Sequence, residues 1–60
     1  MTGPDGIIGE IGVATNPVAP EGTVFVHGEY WNAVSLTPVA AGAPVRVTSI
    51  DRLRLTVQPA

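Results

Sequence analysis

Sixty residues allow one domain with a thin core, because a chain this short hides only roughly 60% of its unfolded surface. The disulfides and metal sites that usually compensate are missing: there is no Cys, and the single His27 cannot build a zinc site alone. A formal net charge of −2, with three Arg and no Lys, argues against holding phosphate backbones, and no apolar run nears the roughly 20 residues that span a bilayer.

Residues 1–8 read as a flexible, polar N-terminal lead-in, and residues 9–58 as one domain. Seven Gly and six Pro punctuate short β-rich runs, and no segment keeps apolar residues at helical spacing. The predicted strands are Gly9–Thr15, Thr23–His27, Tyr30–Leu36, Val45–Ile50 and Arg54–Gln58. In the first, Ile11 and Val13 alternate as the inward pair, with Gly9 and Gly12 letting the strand bend.

The second and third strands are separated by Gly28, which suits a primed two-residue hairpin turn at His27-Gly28 or Gly28-Glu29. Either turn sets even-numbered residues of one strand against odd-numbered residues of the other. Val24 and Val26 then share a face with Trp31, Ala33 and Ser35, since directly opposed residues point the same way. Thr23, Phe25, His27, Tyr30, Asn32 and Val34 take the other face. The first face, β-branched with a small Ala, is assigned to the core.

In the last two strands Val45 and Val47 are expected to meet Leu55 and Val57 inside, with Arg46, Thr48, Arg54 and Thr56 outside. A two-residue loop would set Thr48 opposite Leu55, whereas a three-residue loop, Asp51-Arg52-Leu53, pairs Val47 with Val57. Five short strands, the third and fourth joined by a link too short for a full helix, predict an all-β, five-stranded OB-fold-like barrel. Closure would also spare so small a sheet its exposed edges.

The ordered set Gly9-x-x-Gly12-x-Ala14, Pro20-x-Gly22-x-Val24-x-Val26-x-Gly28-Glu29-x-Trp31-x-Ala33-x-Ser35, Gly42-x-x-Val45-x-Val47 and Leu53-x-Leu55-x-Val57 resembles the C-terminal domain of the NfeD family. The resemblance runs from Gly9 to Val57 and implies an OB-fold module at the end of a membrane protein. In that family transmembrane helices precede the barrel, sometimes with a ClpP-class serine-protease domain further upstream. The resemblance further implies work with stomatin/flotillin-like (SPFH) scaffold proteins. On this reading the chain is the soluble end of a longer, membrane-associated protein.

Individual residues carry competing readings. Trp31 is either a stacking platform or partner anchor, or else a core or barrel-mouth residue. Phe25, Tyr30 and Val34 form either a partner surface or a cover for the chain's own loops, because exposed apolar clusters mark contact sites. His27 and Glu29 read as turn residues, and Arg46, Arg52 and Arg54 as a solvated cluster. Catalysis finds little support: Ser35 and Ser49 lack a triad, and Asp5, Glu10, Glu21, Glu29 and Asp51 are scattered. A biotinyl or lipoyl carrier would need an attachment Lys.

The expectation is therefore a non-catalytic interaction or assembly module with no cofactor or metal. Its partner is an SPFH protein or a second copy in a homo-oligomer. Gly22, Val24, Val26, Gly28, Trp31, Ala33, Val45, Val47, Leu55 and Val57 are its structural residues. The alternative is a single-strand nucleic-acid module stacking bases on Phe25, Tyr30 and Trp31, which normally needs a positive groove.

Overall fold

The computed structural model describes residues 4–60. Five strands follow a short 3-10 turn at Pro4–Ile7: β1 (Ile11–Ala14), β2 (Glu21–Val26), β3 (Glu29–Val34), β4 (Pro44–Asp51) and β5 (Arg54–Pro59). They close into a barrel in the order β1-β2-β3-β5-β4. Neighbours are antiparallel except β3 and β5, whose parallel pairing over Asn32↔Arg54, Ala33↔Leu55 and Val34↔Thr56 closes it. The predicted all-β, five-stranded barrel is the observed fold.

Alternation along each strand sends one set of small and β-branched side chains inward. Val24, Val26, Ala33, Val45, Val47, Leu55 and Val57 are all buried. The register explains why: Val24 faces Trp31, Gly22 faces Ala33 and Val47 faces Val57. Each valine removed from water contributes on the order of 1.5–3 kcal/mol, a sizeable fraction of the net stability open to so short a chain.

β1 is corrected. Ile11 is 49% exposed and Val13 half-buried, while Ala14 is buried at 1%. The inward positions are Gly12 and Ala14, which pair with Val45 and Val24. A Cβ on Gly12 would run into the Val26 side chain and the Phe25 carbonyl oxygen. The strand therefore lies so close to β2 that only the smallest residues fit inside, and its two large residues turn out. Gly22 is tied in the same way, since a Cβ there would meet the Pro17 carbonyl oxygen and Asn16 Oδ1.

One further expectation changes. The β4–β5 connection is the pair Arg52-Leu53, with Asp51 facing Arg54, and not a three-residue loop. A bulge between Val47 and Ser49 takes up the spare residue, so Val47 still meets Val57. Within the lead-in over residues 1–8, residues 1–3 lie outside the described residues, and Ile7 is buried at 4%. The segment is fastened by the backbone bond from Gly9 N–H to the Val47 carbonyl, 2.8 Å.

The segments between the predicted strands also supply core. Val18 and Val39 exchange two backbone hydrogen bonds of 2.9 Å, and both are buried. Ser35 N–H donates to the Pro20 carbonyl at 2.8 Å, and the buried Ser35 hydroxyl donates to the Thr37 carbonyl at 2.6 Å. These bonds satisfy polar groups that burial would otherwise penalise.

Candidate functional site

The β2–β3 hairpin turns at His27-Gly28, with Val26 facing Glu29. Both turn residues have left-handed backbone, φ 58° at His27 and 83° at Gly28, which is the primed geometry that matches strand twist. This turn fixes the outer face. Phe25 and Tyr30 come directly opposite each other, their ring centroids 4.9 Å apart and edge-on at 61°. Such a pair contributes about 0.5–1.5 kcal/mol beyond its area.

The pair remains open to solvent, Phe25 at 37% and Tyr30 at 70%. Val34 does not join it: Thr23 and Asn32 stand between, and Val34 is half-buried opposite Glu21. What joins instead is Val13, which faces Phe25 across β1–β2. Exposed Ile11 lies two residues before it on the same side of β1, opposite Arg46. The apolar patch is thus Ile11, Val13, Phe25 and Tyr30. Assigning Ile11 and Val13 to the core concealed half of it; the signal in the sequence was small Gly12 and Ala14 in alternation.

Trp31, opposite Val24, is half-buried against the core, and its indole Nε1–H donates to the Val26 carbonyl at 3.2 Å. That bond satisfies the ring's polar edge and fixes its position. Leu53, in the β4–β5 turn, is 75% exposed and shares a depression of about 280 Å³ with Thr23, Glu29, Tyr30, Trp31 and Asn32. A second, of about 420 Å³, continues from Thr23 and Asn32 past Val34 to Glu21 and Arg54. Sequence reasoning missed Leu53 because a residue in a turn has no strand parity.

His27 and Glu29 are exposed at the hairpin tip, and Arg46, Arg52 and Arg54 are exposed on β4, the turn and β5. Among the described residues, no three His, Asp or Glu side chains gather where they could hold a metal ion, and no helix is long and apolar enough to cross a membrane. The arrangement offers apolar contact and hydrogen bonding.

The family model of the NfeD-like C-terminal, partner-binding domain matches residues 4–59. Among solved structures, the chain is similar to the C-terminal domain of stomatin operon partner protein 1510-C from Pyrococcus horikoshii. That similarity has a TM-score of 0.91 and 37% identity, over 100% of this chain and 97% of the other. It is also similar to the soluble domain of a membrane protein implicated in regulation of membrane protease activity from Corynebacterium glutamicum. There the TM-score is 0.86 and the identity 27%, over 97% of this chain and 100% of the other. A search of curated proteins returns no match.

Proposed function

The chain belongs to the family of NfeD-like C-terminal, partner-binding domains, and from that premise we propose that it is a non-catalytic docking module of a membrane-associated protein whose partner is a stomatin/flotillin-like (SPFH) scaffold. The observation that carries the reading is the solvent-open Phe25–Tyr30 pair, set edge-on and backed by Val13 on a face otherwise free of charge at its centre. Aromatic residues at the middle of a contact are frequent hot spots, where truncation costs 2 kcal/mol or more. Family membership supports a protein partner. The stomatin part is supported by the likeness to a stomatin operon partner.

The test is Phe25→Ser combined with Tyr30→Ser, compared with wild type in a thermal melt and in capture of an SPFH partner. Losing the ring pair should cost about 0.5–1.5 kcal/mol for the pairing and about 1–3 kcal/mol more for the apolar area that partly buried Phe25 covers, lowering the Tm but leaving a cooperative transition. Capture should weaken about tenfold or more. Unchanged capture would move the contact elsewhere, and a chain without a melt would make these rings part of the core.

A further inference from the structure

The outward residues of four neighbouring strands form a surface with two unlike ends. In the barrel order β4-β1-β2-β3, Arg46 stands on β4 opposite Ile11, Val13 opposite Phe25, and Phe25 opposite Tyr30. One end is an exposed guanidinium and the other a phenol ring 70% exposed, with Ile11, Val13 and Phe25 between them. Other charges stand off this row. Glu10 and Glu29 alternate with Ile11 and Tyr30 and take the opposite side of the chain. Glu21 lies beyond Thr23, and Asp51, Arg52 and Arg54 belong to the tip of the β4–β5 hairpin.

Area sets the kind of contact. Tyr30 and Phe25, at about 150–250 Å² apiece when fully exposed, still show on the order of 200 Å² between them. Ile11 and Val13 bring the patch to about 300 Å², the size at which apolar surface marks a contact. With its polar rim it suits an interface below about 1,200 Å² in total, a reversible one, and falls short of a permanent one. The two ends select the occupant. A guanidinium stacks on an aromatic face, and this chain carries both groups at opposite ends of one patch. A two-fold axis lying in the contact between β1 and β2 reverses the strand order in a second copy, so β4 faces β3 and β1 faces β2. Arg46 of each copy then meets Tyr30 of the other, and Val13 meets Phe25. Any other partner has to bring both complements itself.

We propose that this surface is the contact of a reversible two-fold dimer of the chain with itself. The inference rests on the docking reading in one respect: the second copy covers the rings given there to a partner, so capture requires the dimer to open.

Sedimentation equilibrium of the wild-type chain should show monomer and dimer alone, with a dissociation constant on the order of 0.1 mM. Arg46→Glu and Tyr30→Lys should each weaken association about tenfold or more and still melt cooperatively, both positions being exposed. Mixed together, the two variants should associate more tightly than either does with itself. The mixed pair sets a carboxylate on an ammonium at one end and keeps Arg46 on Tyr30 at the other. Residues that acted independently would give the mixture an affinity between those of the two variants. Should Tyr30→Lys fail to fold, the loss expected for Arg46→Glu decides alone.

A chain that stays monomeric up to about 1 mM overturns the proposal. So do oligomers larger than a dimer, a dimer indifferent to Arg46→Glu, or a mixture no tighter than its components. The two readings fail separately. With no dimer, capture that is weakened by Phe25→Ser with Tyr30→Ser leaves the docking module standing. A dimer that forms while no SPFH partner is captured removes that partner and leaves the self-contact.

Discussion

Gly12 decides which way β1 faces. Its inward position is filled by the Val26 side chain and the Phe25 carbonyl oxygen, and a backbone atom cannot swing aside as a side-chain end can. Gly12→Ala should therefore cost roughly 1–3 kcal/mol as overpacking. Ile11→Ser, at a position 49% exposed, should cost less than about 1 kcal/mol. Thermal melts of the two variants give the comparison, and the reverse order would restore Ile11 to the core.

At the level of elements, the β2–β3 hairpin is the best specified. Its turn demands left-handed backbone at two successive residues, yet only Gly28 adopts it at no cost; His27, at φ 58°, is a compromise. Replacing His27 with Asn, the preferred partner of Gly in this turn, should stabilise the domain by a few tenths to about 1 kcal/mol. Gly28→Ala, at φ 83°, should destabilise it by about 1 kcal/mol. Urea midpoints at unchanged m-value measure both. If His27→Asn weakened the fold, the imidazole would hold an interaction of its own at the tip. The β4–β5 hairpin obeyed a different rule. Its inner pairing Val47↔Val57 followed from alternation, but the bulge that preserves it could not be separated from a longer loop by counting residues.

For the molecule as a whole, closure by the parallel β3–β5 contact leaves the outer surface to carry function. Four residues from three consecutive strands, Ile11, Val13, Phe25 and Tyr30, share its apolar patch. The same surface lacks the cation density of a nucleic-acid groove, with three Arg against five acids and no Lys. The domain should therefore give no salt-dependent binding of single-stranded DNA in a fluorescence anisotropy titration at physiological salt. Tight binding that weakens as salt rises would promote base stacking on Phe25, Tyr30 and Trp31 over protein docking.

The sequence by itself determined the class of fold, its five strands and the family, because alternation, turn glycines and spacing are local properties. Val24, Val26, Ala33, Val45, Val47, Leu55 and Val57 announce their burial through neighbours two residues away. Tertiary structure alone decided the rest. The close approach of β1 to β2 turned Ile11 and Val13 outward, and the pairing of Val18 with Val39 drew two separators into the core. The meeting of the two hairpin tips set Leu53 beside Tyr30 and Trp31. Each depends on which strands become neighbours when the barrel closes, a long-range condition that no local pattern along the chain records.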